Sequence, residues 1–214
     1  MCYRVYVKRI LDIIVSLVGL LILAPLMIVV TVAVCISNGG SAIYAQPRVG
    51  LHGKIFQILK FKTMNDKRGD DGNLLPDANR LTSLGRLLRV TSIDELPQLV
   101  NVLKGDMSIV GPRPLLEKYV PYYTEEENRR HEVRGGITGL AQVSGRKNID
   151  WDERLRYDVQ YVDHCSFALD CHIVWQTFIT VFSHEGVGVS SSGTNDFSTY
   201  RQRQWQEQIN TTNQ

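Results

Sequence analysis

The feature that most limits how this chain can fold is an uncharged stretch of 24 residues, from Ile13 to Ile36. A helix of that length spans about 36 Å, which exceeds the roughly 30 Å hydrocarbon core of a bilayer. Core helices of soluble proteins seldom stay apolar on every side for so long. The stretch also lacks the small-residue cleavage pattern of a secretory signal peptide. It therefore predicts a membrane anchor within residues 1–40.

Pro25, which follows Ala24, lies near the middle of this stretch. Proline removes one backbone donor and clashes with the preceding turn, so we expect the helix to kink or break there. Basic residues flank the anchor on both sides, with Arg4, Lys8 and Arg9 before it and Arg48, Lys54, Lys60 and Lys62 after it. Because positive charge marks the cytoplasmic side of a membrane, both ends are expected on that side. The sequence thus predicts a re-entrant, monotopic anchor.

The rest of the 214-residue chain is long enough for one sizeable core. We place that domain at residues 41–188 and expect a polar, flexible tail at residues 189–214. Charged residues make up 21% of the chain and hydrophobic residues 43%, which excludes a disordered chain and a polytopic membrane protein. A formal net charge of +2 gives no reason to expect nucleic acid as a partner. Four cysteines without CxxC spacing indicate a reduced setting.

The order of periodic segments predicts an α+β, mostly helical fold. Residues 43–64 have the alternation of a β-hairpin, with its turn at Leu51–Lys54. A polar loop at residues 66–79 then precedes a basic amphipathic helix at residues 80–90, which suits a membrane surface or a core-facing helix equally. Further helices are predicted to begin at Thr124, to cover residues 150–163, and to cover the strongly apolar residues 168–182.

Asp94 and Glu95 form an adjacent acidic pair in this domain. We expect Asp94 to be the N-cap of a helix, because Pro97 then falls in the first turn, where its missing donor is not needed. Taken alone, the pair fits an ordinary capping pattern. However, Arg89 precedes the pair and Arg113 is held between two prolines. Because an arginine fork matches phosphate geometry, these carboxylates are candidates for a nucleophile or a Mg²⁺ ligand.

Three other sets of residues give weaker indications of a functional site. Lys60 and Lys62 share one face of the second strand, and we expect Lys62 to be solvated. The glycine-rich segment at residues 135–146 could bring backbone amides to a nucleotide or form ordinary turns. Four residues could be read as a zinc site, but their spacing does not converge on one point; they are His164, Cys165, Cys171 and His172.

Several of these motifs resemble those of the small monotopic phosphoglycosyl transferases, bacterial sugar transferases that act on polyprenyl phosphate. The resemblance runs from about Lys8 to about Val187. Its most specific parts are Gln46–Gly50, Lys60–Met64, Thr91–Gly105, Ser108–Pro114, Gly136–Gly139 and Gln142–Arg146, together with Asp158 and Tyr161. The chain departs from the family pattern at Ala24-Pro25, usually Ser-Pro, and at Gly135, where the family usually has proline.

The resemblance implies a re-entrant helix, broken near its proline, that anchors a compact catalytic domain with amphipathic interfacial helices. The domain would lie at the cytoplasmic face of the bacterial inner membrane. Asp94 would attack a UDP-sugar and bind Mg²⁺, releasing UMP, and Glu95 would assist polyprenyl (undecaprenyl) phosphate in taking the phosphosugar. The residues implied to bind substrate phosphates are Lys60, Arg89, Arg113, Arg146 and Gln142. The implied partners are a UDP-sugar, the lipid phosphate and membrane lipids, with self-association left open.

Two other functions stay open on the sequence alone. A catalytically silent protein could use the basic surface and the amphipathic helices to recruit partners to a membrane. A hydrolase would share the first half-reaction and pass the phosphosugar to water. Only a lipid-linked product separates a transferase from that hydrolase.

Overall fold

A computed structural model of the chain describes residues 3–144, 149–182 and 196–212. Its longer helices are α1 (Lys8–Asn38), α3 (Ser83–Val90), α4 (Gln98–Lys104), α7 (Trp151–His164), α8 (Phe167–Phe182) and α9 (Phe197–Thr212). The short helices are α2 (Asp77–Arg80), α5 (Glu125–Asn128) and α6 (Leu140–Ser144). The strands are β1 (Ile43–Val49), β2 (Ile55–Phe61), β3 (Met107–Val110) and β4 (Gly135–Thr138). The described residues therefore confirm the mostly helical α+β class.

Helix α1 contains the apolar stretch predicted from the sequence. Together with the π-helical turn Tyr3–Val7, it is long and apolar enough to cross a membrane, judged by length and composition. A single α-helix continues through Pro25, so of the kink or break predicted at Ala24-Pro25 the helix shows no interruption. A kink at this residue stays a prediction.

Polar contacts fasten the N-terminal end of α1 to the folded domain. The Asp12 carboxylate accepts hydrogen bonds from Ser108 Oγ at 3.0 Å and from the Ile109 backbone N–H at 2.9 Å, both in β3. One turn earlier, Lys8 Nζ lies 2.6 Å from Asp170 Oδ2 on α8. The side chains of Lys8, Asp12 and Asp170 are buried. Because a buried charge without its partner is costly, these contacts fix where α1 lies on the domain.

Apolar contacts hold the other end of α1 to the same domain. Val34 is buried in a cluster with Phe61 of β2 and Leu88 of α3. Between the two ends, Gly19 lies so close to Leu99 of α4 that an added Cβ would sit 3.3 Å from its Cδ1 atom. One side of α1 therefore contacts the domain near both ends and between them. The other sides expose apolar residues, including Ile14, Leu21, Ile22, Ile28 and Val29.

Strands β1 and β2 form the predicted hairpin. They pair antiparallel in a register that joins Ile43 to Phe61 and Val49 to Ile55. The turn is a 3-10 helix at Leu51–Gly53, in which His52 has a φ of 53°. Strands β3 and β4 pair parallel to each other in a second two-stranded sheet. The hairpin places Lys60 near the end of β2, beside the segment that carries the acidic pair.

The helix predicted at residues 80–90 begins later in the structure, so its predicted start is wrong. Helix α2 ends at Arg80, and α3 begins at Ser83. Thr82 stops the helix from reaching further back, because its side chain caps α3 by accepting from the Gly85 backbone N–H at 2.9 Å. Gly85 lets α3 approach the chain after β2 closely, since an added Cβ would fall 1.9 Å from the Thr63 carbonyl oxygen. This close approach sets α3, and Arg89 on it, against the end of the hairpin.

The C-terminal segment differs from the predicted flexible tail. Residues 197–212 form helix α9, and Phe197 at its start is fully buried. Phe197 packs in a cluster with Leu115, Tyr119 and Leu155. The first part of the predicted tail, residues 189–195, lies outside the described residues. The division of the chain near residues 40 and 188 stays a prediction.

Candidate active site

A cleft of about 630 Å³ brings most of the predicted site residues together. Six basic side chains line it, namely Arg48, Lys60, Lys62, Arg80, Arg89 and Arg113. Four acidic side chains also line it, namely Asp66, Asp77, Asp94 and Glu95. Because the cations outnumber the carboxylates, the cleft suits an anionic ligand.

The backbone presents the acidic pair differently from the prediction. Asp94 and Glu95 lie in a 3-10 turn, Ile93–Glu95, and α4 begins only at Gln98, with Pro97 as its N-cap. The prediction that Asp94 caps the helix is therefore wrong. Ser92, with a φ of 56°, turns the chain away from helical geometry and starts the separate turn. Pro97 has the φ of −59° that a helix start requires.

Glu95 is already bound by two cations. Its Oε1 atom lies 2.6 Å from Lys60 Nζ and 2.5 Å from Arg113 Nη2. Burial on its own would raise the pKa of Glu95, but the charges of Arg113 and Lys60 outweigh burial and lower the pKa to about 2. Glu95 is therefore ionised at neutral pH, and its carboxylate already forms ion pairs with Lys60 and Arg113.

Asp94 is in the opposite situation. It is only 9% exposed, and no hydrogen bond or ion pair reaches its carboxylate from the residues that the structure describes. Burial and the negative charge of Glu95 raise the pKa of Asp94, against the pull of Lys60 and Arg89. An unpaired carboxylate in a cationic cleft can attack an electrophilic phosphorus atom or bind a metal ion.

Arg89 and Lys62 extend the cationic wall. Arg89 Nε donates a hydrogen bond to Thr63 Oγ1 at 3.0 Å, which fixes the guanidinium at the end of α3. The prediction that Lys62 is solvated is wrong, because its side chain is only 19% exposed and forms an ion pair with Asp66. Strand β2 ends at Phe61, so Lys62 begins the loop that lines the cleft rather than an exposed strand face.

Arg113 depends on a buried pair that sequence reasoning missed. Arg130 Nη2 donates to the backbone carbonyl oxygen of Arg113 at 2.8 Å and lies 2.7 Å from Asp158 Oδ2. The side chains of Arg130 and Asp158 are 2% and 3% exposed. The pair holds the Pro112–Pro114 segment from behind the cleft. The family pattern at Asp158 was its only signal in the sequence.

Arg48 is a second residue that the predicted site left out. Its Nη2 atom donates to Gln46 Oε1 at 2.7 Å, and both side chains line the cleft with Tyr44. Burial and the charge of Arg113 lower the pKa of Arg48. Strand alternation was the available signal, because Tyr44, Gln46 and Arg48 share one face of β1.

The structure does not bring every predicted residue to the cleft. Gln142 is not among the described residues that line it, and its Nε2 atom donates to the Ile137 carbonyl oxygen at 3.0 Å. Arg146 lies outside the described residues. His164 Nδ1 forms a hydrogen bond with the backbone oxygen of Gln160. Within residues 3–144, 149–182 and 196–212, no three His, Cys, Asp or Glu side chains cluster as a metal site.

Comparison with known proteins gives one matching family model. The model, described as bacterial sugar transferase, matches residues 3–184. The chain is 51% identical over 181 residues to the uncharacterized sugar transferase EpsL of Bacillus subtilis, covering 84% of this chain and 89% of that protein.

Two further relatives carry names that state a reaction. The undecaprenyl-phosphate galactose phosphotransferase of Salmonella typhimurium is 39% identical over 198 residues, which cover 85% of this chain and 41% of that protein. The UDP-glucose:undecaprenyl-phosphate glucose-1-phosphate transferase of Caulobacter vibrioides is 40% identical over 182 residues, which cover 79% of this chain and 67% of that protein. The chain therefore spans less than half of the Salmonella relative.

Proposed function

The chain belongs to the bacterial sugar transferase family, and on that premise we propose that it transfers a sugar-1-phosphate from a UDP-sugar to polyprenyl phosphate. The acceptor would be undecaprenyl phosphate, which the names of two relatives contain. The product would be a polyprenyl-diphosphate sugar, made in the first membrane step of bacterial glycan assembly. The observation that carries this proposal is the unpaired Asp94 carboxylate among the cations of the cleft.

The first half of the proposed reaction uses Asp94 as a nucleophile. A carboxylate oxygen of Asp94 attacks the phosphorus atom attached to the sugar, and the bond between this phosphorus and the bridging oxygen breaks. UMP leaves with that bridging oxygen, and the phosphosugar stays on Asp94 as an acyl phosphate. Phosphoryl transfer depends on neutralising the charge of the phosphate oxygens. Lys60, Arg89 and Arg113 lie in the cleft to do this.

The second half of the reaction returns Asp94 to its free state. An oxygen of the lipid phosphate attacks the phosphorus of the acyl phosphate, and the bond to Asp94 breaks. Glu95, with a pKa of about 2, is a weak proton acceptor while Lys60 and Arg113 bind it. We therefore assign Glu95 first to holding these two cations in place. It assists the lipid phosphate as a base only when the cations turn to the substrate.

Magnesium fits the residues of this cleft. Asp94 is a carboxylate without a partner among the described residues, whereas Lys60 and Arg113 occupy Glu95. Mg²⁺ typically binds one or two carboxylates together with substrate phosphates rather than a cage of protein ligands. Asp94 would hold the ion, which would supply further neutralisation of charge on the diphosphate.

A reconstituted assay tests the proposed function against its two alternatives. The purified protein is incubated with undecaprenyl phosphate, Mg²⁺ and each member of a panel of UDP-sugars, and both UMP and lipid-linked sugar are measured. We expect one UDP-sugar to give UMP and lipid product in equal amounts, and a chelator to stop both. UMP without lipid product would identify a hydrolase. No UMP from any sugar would favour the recruitment protein.

The same premise supports a monotopic arrangement of α1, with the catalytic domain on the cytoplasmic face of the inner membrane. Three observations support it. Contacts tie α1 to one domain near both ends, through Asp12 and Val34. A contact at Gly19 lies between them. Basic residues flank the apolar stretch on both sides. A helix crossing the membrane at right angles would carry one of its ends away from the domain.

Labelling of single cysteines in intact cells tests this arrangement. One variant keeps only Cys2, and the other keeps no native cysteine but carries Gly40→Cys, where an added Cβ meets no atom within 4 Å. We expect an impermeant maleimide to label neither variant until the cells are opened. Labelling of either position from the periplasm would contradict the monotopic arrangement.

A further inference from the structure

Helix α9 lies beyond residue 184, where the family match ends. It nevertheless packs on the chain that leaves the active site, which runs from Pro114 into the 3-10 helix Glu117–Tyr122. Phe197 is fully buried there, with Leu115 and Tyr119. This element therefore lies outside the residues that the family model matches, and it contacts the segment that presents Arg113.

Polar contacts fix α9 in this position. Arg201 is 8% exposed, and its Nη2 atom lies 2.5 Å from Glu127 Oε1 and 3.3 Å from Asp152 Oδ1. Tyr200 donates its hydroxyl proton to Asp152 Oδ2 at 2.9 Å. Because a buried arginine without carboxylates would be costly, these contacts set the position of the first turns of α9, and with it the depth to which Phe197 inserts.

A continuous series of contacts leads from Phe197 to the acidic pair. The rings of Phe197 and Tyr123 are stacked, with centroids 5.3 Å apart and planes inclined by 29°. The Tyr123 hydroxyl accepts a hydrogen bond from Arg130 Nη1 at 3.1 Å. Arg130 in turn donates to the Arg113 carbonyl oxygen at 2.8 Å. The series ends at Glu95, whose Oε1 atom accepts a hydrogen bond from Arg113 Nη2.

We propose that Phe197 of helix α9 is a positioning residue, which acts through Tyr123 and Arg130 to hold Arg113 in place for phosphate binding. The inference rests on the proposed phosphosugar transfer, because the function of Arg113 is assigned there. Stacking fixes the Tyr123 ring, and the Tyr123 hydroxyl fixes one side of the Arg130 guanidinium. The neighbouring nitrogen of that guanidinium, Nη2, then meets the Arg113 carbonyl oxygen. A cation misplaced by about 1 Å can cost up to about 100-fold in rate.

Two substitutions of Phe197 test the proposal in the full-length protein. Phe197→Ala removes the ring, and Phe197→Leu keeps an apolar side chain in the cluster while removing the stacking. We expect either change to lower kcat for UMP release by about tenfold, with little change in the KM for the UDP-sugar. If Phe197→Ala does not fold, the kcat of Phe197→Leu alone tests the proposal.

The matched control is Trp205→Ala on the same helix. The Trp205 ring stacks on Tyr122 with centroids 5.8 Å apart, and the Tyr122 hydroxyl bonds to Gln202 rather than to Arg130. These contacts lie outside the series from Phe197 to Arg113. We therefore expect this variant to stay within about twofold of the wild-type kcat, as for a site that acts independently. Phe197 variants that turn over like Trp205→Ala would overturn the proposal.

A double-mutant cycle separates positioning from general destabilisation. In an Arg113→Lys background, which lacks the bidentate guanidinium, we expect Phe197→Leu to cost less than about twofold further. Losses that multiply would show that Phe197 acts independently of Arg113, and would refute the proposal.

Hydrogen exchange supplies a readout that does not depend on turnover. Phe197→Leu should speed amide exchange at Gly136, whose N–H donates to the carbonyl oxygen of Pro112 beside Arg113 at 3.0 Å, whereas Trp205→Ala should not. Unchanged exchange in both variants would count against the proposal even if the wild type releases no UMP. Absence of UMP from the wild-type protein would by itself refute only the proposed function.

Discussion

Replacing Asp94 by asparagine is expected to abolish UMP release, with turnover falling by about 10⁴-fold or more, as when a catalytic nucleophile is removed. The amide has nearly the same volume as the carboxylate, so the cleft keeps its shape. It cannot form an acyl phosphate and is a poor ligand for Mg²⁺. Because no described residue pairs with the Asp94 carboxylate, the change breaks no ion pair of the fold. UMP release under saturating UDP-sugar and lipid phosphate measures the effect.

Asp77→Asn is the matched control for this substitution. Asp77 lines the same cleft, but its side chain is 68% exposed and its nearest contact with Arg80 is 3.6 Å. Exposed ion pairs contribute about 0–1 kcal/mol, so we expect turnover within about twofold of wild type. An Asp94→Asn enzyme with the turnover of Asp77→Asn would mean that Asp94 is not the nucleophile.

Asp158→Ala is expected to give the largest loss of stability. The substitution leaves the Arg130 guanidinium buried without its carboxylate, which typically costs about 3–5 kcal/mol in the free energy of unfolding. It should also lower turnover, because Arg130 then holds the Arg113 carbonyl oxygen less firmly. Denaturant unfolding of the purified protein in detergent, followed by circular dichroism, measures the change in stability.

Asp163→Ala, on the same helix α7, provides the comparison. Asp163 pairs with Arg129, the neighbour of Arg130, but their side chains are 40% and 35% exposed. This pair should contribute less than about 1 kcal/mol. Equal losses of stability in the two variants would show that burial of Asp158 and Arg130 does not have the energetic effect assigned to it.

Local sequence patterns predicted much of the fold and the centre of the site. Strand alternation and the turn at residues 51–54 gave the hairpin, and the apolar run gave α1. The cleft does bring Lys60, Arg89 and Arg113 to the acidic pair. These features depend on residues close together in the chain or on motifs shared with a family. Local patterns and shared motifs were therefore sufficient to predict them.

Backbone detail was less predictable. The positive φ of Ser92 separates the acidic pair from α4, and serine gives no clear signal for that conformation. Strand β2 ends at Phe61, so the strand alternation does not extend to Lys62, whose side chain lines the cleft. In both cases the error came from extending a regular pattern by one turn or one residue too far.

Contacts between distant segments were the least predictable. Arg130 and Asp158 are 28 residues apart, and Arg201 and Glu127 are 74 residues apart. No periodicity in the sequence links such residues. A tail rich in glutamine predicted flexibility, whereas burial of Phe197 against Tyr119 and Tyr123 organises α9. Tertiary packing overrode the local composition here.

Detection of the covalent intermediate is the sharpest test of Asp94 as the nucleophile. The protein is incubated with its UDP-sugar and Mg²⁺ in the absence of lipid phosphate, and the peptide containing Asp94 and Glu95 is sequenced by mass spectrometry. We expect one phosphosugar on Asp94, its removal on addition of undecaprenyl phosphate, and no adduct in Asp94→Asn. An adduct on Glu95, or lipid-linked product formed without any adduct under rapid quenching, would contradict that assignment.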